Sequence, residues 1–514
     1  MSQTNPTAVN GRPMVVIVGA GPTGVTAATL LAQYGIATTV LDRWADVYPQ
    51  PRAVHLDDEV YRILDRLGVA EQFAAVSRPA LGLRLIDPKL RVLAEFHRDP
   101  NQRRNGYPAA NMFDQPVLEG LLRANLARYP EAVLRGDVDV TGIADTGSGR
   151  TRVTFTDRKD GTESFVDADY LLGCDGANSL VRKAIGSQMT DLRFEQRWLV
   201  IDIASPVELE QWDGVHQLCD SRRAGTYMRI GTGRYRWEFR LLDGEKAEDF
   251  RAMPALRPLI APWTAHVDES SLEIIRVAEY TFRAKIADRW RRGNTFLLGD
   301  AAHLTPPFVG QGLCAGIRDA MNLSWKLAAV IQGALDPAAL DTYEQERKPH
   351  ARSMIDLALM VGRAMTSGGR AGDLLRGLVV PRMHLLPGLR KRVMDSETPK
   401  LSGCALVQGR GPLAGALCPN PGTPEGRLLD AVLGDGFAVV STEELSAEDR
   451  AVAESQGATI YVTGSAGELG RWLRRGRATA AILRPDRTVM RAGRDVSALC
   501  AAVPALRARH REDA

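Results

Sequence analysis

Near its start the chain has a short apolar run, Met14 to Val18, followed at once by GAGPTG and then by Ala27, Ala28, Leu30 and Leu31 at helical spacing. This order predicts a strand, a tight turn and a helix. The next apolar run, ATTVLD, reads as a second strand and ends in Asp42. Residues 80–110 and 190–285 have a different texture. Segments such as TYMRIGTGRYRWEFRLL alternate apolar and polar positions and predict strands of an antiparallel sheet. NTFLLGDAAH then gives another buried strand that ends at a Gly-Asp turn. After it, Ile317, Met321, Leu323, Trp325, Leu327 and Ala328 mark a long helix starting near Gly312. Between about 365 and 430 the chain is rich in Gly, Pro and Arg, which predicts a linker and boundary. Beyond it FAVVST, GATIYVTG and ATAAILRPDRTVMRAG read as strands and VSALCAAVPALRAR as a helix, a small separate α/β domain.

A chain of 514 residues exceeds one typical core, and roughly two to four domains are expected. With 45% hydrophobic and 25% charged residues, the composition is that of an ordinary globular protein and argues against disorder. A net charge of +3 with no long basic run argues against nucleic acid as a partner. The opening MSQTNPTAVNGRP lacks the charge and apolar pattern of a leader, and no apolar run reaches the roughly 18 residues that cross a bilayer. The expectation is a cytoplasmic protein with no membrane partner. Six cysteines lie far apart without a Cys-x-x-Cys pair or metal-ligand spacing, so free thiols and no metal site are expected.

The glycines carry the first chemistry. Gly19 permits the turn after the strand, Gly21 lets a pyrophosphate approach the backbone, and Gly24 lets the helix pack closely. Amide N–H groups at the helix start face the phosphates. Asp42, 18 residues after Gly24, is placed to accept hydrogen bonds from a ribose. Strand, turn, helix, strand and acid in this order predict a dinucleotide site. GRGPLAG, Gly409 to Gly415, looks similar but follows no strand and reads as a loop.

GAGPTG at 19–24, YLLGCDGANSLVRKAIG at 170–186 and LLGDAAHLTPPFVGQGLCAGIRDAMNLSWKLA at 298–328, in this order and spacing, carry a specific resemblance. The chain resembles the class A flavoprotein monooxygenases over nearly its full length. Within them it is similar to the aromatic hydroxylases close to 3-(3-hydroxyphenyl)propionate hydroxylase and to the related polyketide hydroxylases. The resemblance implies an α/β chain: a Rossmann-like FAD-binding domain, an inserted antiparallel β-sheet substrate domain and a C-terminal thioredoxin-like domain. The implied parts are 1–80, 111–186 and 286–370 for the FAD domain and its long helices, and 81–110 with 187–285 for the substrate sheet. Residues 371–425 would be the linker, and 426–514 the thioredoxin-like part, around RPDR at 484–487, without a redox cysteine pair.

The resemblance also implies FAD, with NADH or NADPH as co-substrate. Gly19, Gly21 and Gly24 would serve the pyrophosphate, Asp42 the adenosine ribose, and Arg43 the adenine end. Asp300 would bind the ribityl chain, while Pro307 and the backbone of Gly310, Gly312 and Leu313 would border the flavin ring. Arg52 would contact the cofactor and follow the flavin as it swings, and Gln115 would lie near the ribityl and adenosine portions. Asp175 and Arg182 would touch both FAD and the passing nicotinamide nucleotide; Arg182 has surface ion pairing as its plain alternative. No second strand–GxGxxG–helix unit is present, so that nucleotide would bind transiently.

In this family reduced flavin and O2 form a C4a-hydroperoxide that an electron-rich ring carbon attacks, and the protein supplies position, dryness and charge. The positive end of the helix near Gly312 would stabilise negative charge on the reduced ring. A phenol also needs a base or hydrogen-bond acceptor beside its oxygen. His55, three residues after Arg52, is the candidate, against the alternative of a polar residue at the pocket lip. The catalytic set is therefore His55, Arg52 and Pro307. Arg229, Arg234, Arg236 and Arg240 could bind a substrate carboxylate, although most are expected on a solvated strand face. Asp57 and Asp58 are expected to serve a helix start, and His303 to fill its turn. A flavin halogenase is disfavoured because RYRWEF lacks a WxWxIP-like motif. Two other readings stay open: a tailoring oxygenase of an aromatic polyketide and a non-catalytic FAD-binding protein. The partners expected are a small aromatic molecule and O2, and a homodimer is left open.

Overall fold

Val15–Val18 lies inside a six-stranded sheet, between Tyr170–Gly173 and Thr38–Leu41, and runs parallel to both. The structure, a computed structural model, describes residues 13–506 apart from 51–52, 100, 102, 221, 367–397, 402 and 410. Thr295–Leu297 and Ala132–Arg135 extend the sheet in parallel, and only the edge pair Arg291–Arg292 is antiparallel. Parallel strands are covered on both faces, which is why these segments read as unbroken apolar runs rather than alternating ones. Val15, Val16 and Ile17 have no solvent exposure. The helix Pro22–Gln33 follows the first strand and packs against Gly312–Ile331, the long helix expected near Gly312.

That long helix carries Arg318, Asp319 and Lys326 inside its apolar run, and all three are buried. Burying a charge is costly unless it is paired. Each is: Arg318 with Asp57 at 2.6 Å, Asp319 with Arg347 at 2.9 Å, and Lys326 with Glu346 at 2.9 Å.

The alternating segments form an eight-stranded sheet with Met189–Ala204, Arg234–Arg240 and Gly225–Gly231 adjacent to one another. Its pairs are antiparallel with one exception: Val215–Leu218 and Gly82–Ile86 pair in parallel. Period-two alternation reports which face a side chain takes and carries no information about strand direction. One face is sealed by Tyr227, Tyr235, Trp237 and Phe239 packed with Leu256, Ile260 and Trp263 of the helix Met253–Thr264. A meander of Val138–Asp145, Thr151–Asp157 and Glu163–Ala168 was not anticipated within 111–186. A small sheet of His55–Asp57, Ala110–Met112 and Arg78–Pro79 holds His55.

At the C-terminal end Ala438–Ser441 and Thr459–Val462 are parallel, and Ala480–Leu483 and Val489–Gly493 add on antiparallel to complete four strands. The expected terminal helix is short, Val496–Cys500. Pro504 explains this, since the residue before a proline is biased away from helical backbone. The segment expected as a linker lies partly outside the described residues. Its described remainder is packed rather than free, with Leu406, Val407, Leu413 and Cys418 buried. The RPDR turn docks this end onto the long helices: Arg484 Nη1 donates to Glu346 at 2.9 Å, and the indole of Trp325 donates to Asp486 at 3.1 Å. Among the described residues no helix is long and apolar enough to cross a membrane.

Candidate active site

Two positions of the turn after the first strand can be held only by glycine. Gly19 has φ +103°, and a Cβ there would stand 2.3 Å from the carbonyl oxygen of Cys174. At Gly24 a Cβ would be 1.9 Å from the carbonyl oxygen of Gly19. Gly21, the N-cap of Pro22–Gln33, differs: a Cβ there would meet nothing within 4 Å. Its backbone therefore faces open space, where a phosphate could approach helix-start N–H groups. This cradle fits a dinucleotide pyrophosphate.

A second glycine-lined helix start opens onto the same space. Gly21 and Thr23 line a cavity of about 370 Å³ together with Asp300, Pro307, Gly310, Gly312 and Leu313. His55 and Gln115 line it too. Eight expected site residues, widely separated in sequence, thus share one wall system. Gln115 begins the helix Gln115–Leu126; its carbonyl accepts the Ala53 N–H at 2.5 Å and its amide donates to Glu119 at 2.6 Å.

The remaining expected residues are placed around it. Asp42 is 9% exposed and accepts from the Ala20 N–H at 2.5 Å and the Trp44 N–H at 2.8 Å, so it ties the strand end to the glycine turn. Arg43 is exposed and pairs loosely with Asp139 at 3.7 Å, outside the cavity wall. Asp175 Oδ2 accepts from the Leu180 and Val181 N–H groups at the start of Leu180–Ala184, which Ser179 caps, while its Oδ1 is buried without a partner. Arg52 lies outside the described residues.

Surface ion pairing of Arg182 is corrected. Its side chain is buried and donates to the carbonyls of Ala301 and Ala177 at 2.9 and 2.8 Å, bracing the Gly299–Ala301 turn. His303 does fill the turn: it is fully buried against Asp319 and does not reach the cavity lining. Asp57 serves the helix start as expected, accepting from the Val60 N–H at 3.0 Å, but it also holds Arg318 and Gln311. The solvated strand face expected for the four arginines is corrected as well. None of Arg229, Arg234, Arg236 and Arg240 is exposed, and Arg236 is 1% exposed with both carboxylate oxygens of Asp202 within 2.9 Å.

His55 packs on Gly310, whose φ of +63° would bring a Cβ within 2.8 Å of the His55 Nδ1. Nδ1 lies 3.4 Å from the Gly310 carbonyl oxygen. Burial, helped by the Arg98 guanidinium, lowers the His55 imidazole to about 4 despite the nearby Asp57 carboxylate. Its ring is therefore neutral near pH 7, able to orient a hydroxyl but weak as a base.

The other half of the cavity is roofed by the eight-stranded sheet. Trp198, Phe282 and Phe308 form its aromatic wall, and Gln217, Glu238 and Arg276 are polar lining residues that sequence reading missed. A signal was present for the buried network beneath the glycine loop: Arg318 and Asp319 stand within an apolar helical run and required partners.

Comparison with known proteins agrees with this geometry. Residues 12–358 match the FAD binding domain family. The chain is 33% identical to a 3-(3-hydroxy-phenyl)propionate/3-hydroxycinnamic acid hydroxylase of Burkholderia cenocepacia (strain HI2424), with 98% of each chain covered. It is 33% identical to a probable NADH-specific resorcinol 4-hydroxylase of Rhodococcus jostii (strain RHA1), covering 94% of this chain and 93% of that one. Among solved structures, aklavinone-11 hydroxylase in a ternary complex with FAD and aklavinone superposes with a TM-score of 0.78 at 24% identity, over 96% of this chain and 98% of the other. The glycine-lined cavity and these full-length matches lead to one conclusion: the chain belongs to the FAD-binding family of class A flavoprotein aromatic hydroxylases.

Proposed function

We propose that the protein is an FAD-dependent monooxygenase that uses NADH or NADPH and O2 to hydroxylate a phenolic ring of the hydroxyphenylpropionate or resorcinol type. The observation that carries this reading is the convergence of two glycine-lined helix starts on a single cavity that continues beneath the sheet. When bound, FAD supplies the electron transfer and oxygen activation. Gly19, Gly21 and Gly24 would hold its pyrophosphate, Asp42 its ribose, Arg43 its adenine end and Asp300 its ribityl chain. Gln115 would sit near the middle of the cofactor, and Pro307, Gly310, Gly312 and Leu313 beside its ring. The open backbone at Gly21, which lines the cavity, supports a polar ligand along this wall.

The chain's own residues then have two tasks. The aromatic wall of Trp198, Phe282 and Phe308 keeps water from the reacting ring, and His55 orients the substrate hydroxyl. A volume of about 370 Å³ is near the low end for ligand sites and must also take the flavin ring, which favours a single-ring substrate over a fused polycycle. In domain terms, the parallel sheet is the Rossmann-like part and the eight-stranded sheet the inserted substrate part. The C-terminal strand order, with two parallel strands and an antiparallel pair, supports a thioredoxin-like appendage. Its span of 426–514 contains only Cys500, so a docking role fits better than disulfide chemistry.

The test is a panel of phenolic acids, resorcinol and polycyclic phenols, scored for stimulated NAD(P)H oxidation and for a product heavier by one oxygen atom. The expected result is a yellow protein that consumes NAD(P)H with a one-ring phenol. A colourless protein that refuses flavin, or a yellow one that no phenol stimulates, overturns the reading.

A further inference from the structure

The cavity face of the eight-stranded sheet carries a row of charges whose register is fixed by strand pairing. Arg236 lies opposite Asp202 on one side and Met228 on the other, and Asp202 in turn lies opposite Arg276. One step along, Glu238 lies opposite Val200 and Thr226. Because side chains two apart share a face, Glu238, Arg236 and Arg276 all line the cavity.

The charges in this row are unequally engaged. The fork of Arg236 is directed at Asp202, with Nε at 2.6 Å and Nη2 at 2.9 Å. Glu238 is left with a longer contact, 4.0 Å to Arg236 Nη1, beyond hydrogen-bond reach. Its side chain is 13% exposed, toward the cavity that it lines. A carboxylate held in such a place needs a donor. The cavity beside it is walled by aromatic rings, and the occupant proposed above carries a phenolic O–H.

Resting on that functional reading, we propose that Glu238 takes the proton of the substrate's phenolic hydroxyl, with Arg236 and Arg276 facing the oxygen it leaves behind. The O–H bond breaks, its electron pair stays on the phenolate oxygen and spreads to the ortho and para ring carbons, and the proton goes to a Glu238 carboxylate oxygen. Burial raises the Glu238 carboxyl, and Asp202 adds to this, outweighing the nearby Arg236 and Arg276. That makes it a stronger base than an ordinary carboxylate, whereas His55, lowered to about 4, is a weaker base than an ordinary imidazole. The division of labour follows: His55 orients and Glu238 accepts.

The experiment compares wild type with Glu238→Gln, using resorcinol, 3-(3-hydroxyphenyl)propionate and ring-fluorinated forms whose phenol ionises more readily. In wild type, kcat/KM is expected to rise with pH through the titration of Glu238. Glu238→Gln is expected to lose about 100-fold in kcat/KM at pH 7 and to lose that rise. It should recover in proportion as the phenol's own pKa falls, a dependence that a purely structural role would not produce. Glu238→Asp, which keeps the acid on a shorter arm, guards against a folding defect and is expected to retain a pH-dependent rate. An unchanged pH profile in Glu238→Gln, or equal losses for all phenols, overturns the proposal while leaving the hydroxylase reading standing. A wild-type protein stimulated by no phenol overturns both.

Discussion

His303 and Asp319 face each other at 2.7 Å with neither side chain exposed, and the same Asp319 carboxylate accepts the Gly299 N–H at 3.1 Å. Its other oxygen takes Arg347 at 2.9 Å. One carboxylate therefore pins the turn that presents Asp300 to the cavity. Burial alone would raise Asp319, but His303 and Arg347 hold it below the ordinary carboxylate range. Removing it leaves His303 and Arg347 buried without their partner. Asp319→Ala is expected to cost about 3–5 kcal/mol in chemical denaturation, and to loosen FAD through the displaced turn.

Asp300→Ala tests the turn from its ligand side. Asp300 lines the cavity directly, so its loss should leave the fold intact while FAD retention falls. Loss of a hydrogen bond to a charged group is worth about 1.5–3 kcal/mol, or roughly 10- to 100-fold in Kd. Flavin titration of the apoprotein measures it, and unchanged affinity would remove Asp300 from the ribityl contact.

Acid should weaken the clamp between the C-terminal part and the main body. Asp430 accepts from Arg62 Nη2 at 2.7 Å and from Arg487 Nε at 2.9 Å. Burial raises its carboxyl, but the two guanidinium groups outweigh this and lower it to about 2. Since the folded value lies below the unfolded one, near 3.9, the stabilisation is present above about pH 4 and is lost as pH falls toward 2. It amounts to about 2–3 kcal/mol. Between pH 4 and 2, wild type should lose more stability in urea than Asp430→Asn, which has no such carboxylate to protonate.

Much of this site was legible because its requirements are local. Gly19 and Gly24 are demanded by contacts within a few residues of one turn and the strand beside it, and the glycines near Gly312 belong to one loop. The Asp202–Arg236 pair was not legible: its members are 34 residues apart and meet only through strand register. Alternation showed that Arg234, Arg236 and Arg240 share a face without showing that the face was covered. Glu238 was hidden by the same ignorance of what lies over the sheet. His55 was found by its neighbourhood, but its weak basicity comes from burial and Arg98, which no local pattern carries.

A neutral imidazole packed on Gly310 should affect coupling more than cofactor retention. His55→Ala removes the group proposed to orient the substrate and leaves Gly19, Gly21 and Gly24 untouched. NAD(P)H oxidation is expected to continue, with less hydroxylated product and more hydrogen peroxide per NAD(P)H consumed, and with FAD affinity within about twofold of wild type. Fully coupled turnover in this variant would take His55 out of the reaction.

Three alanine substitutions in one turn should separate folding from binding. Gly19→Ala forces a side chain onto backbone with φ +103° and into the Cys174 carbonyl, and Gly24→Ala forces one into the Gly19 carbonyl. Overpacking of this kind costs about 1–3 kcal/mol, with left-handed strain of roughly 1–2 kcal/mol added at Gly19. Both variants should unfold earlier even without ligand. Gly21 has an ordinary φ of −71° and space in front of it, so Gly21→Ala should leave apoprotein stability within about 1 kcal/mol of wild type. Its new methyl would instead occupy the space a pyrophosphate needs, and FAD affinity should fall by at least about tenfold, or 1.4 kcal/mol. Thermal melts of the apoproteins beside flavin titrations distinguish the two outcomes. If Gly21→Ala bound FAD as tightly as wild type, the pyrophosphate could not lie over this helix start.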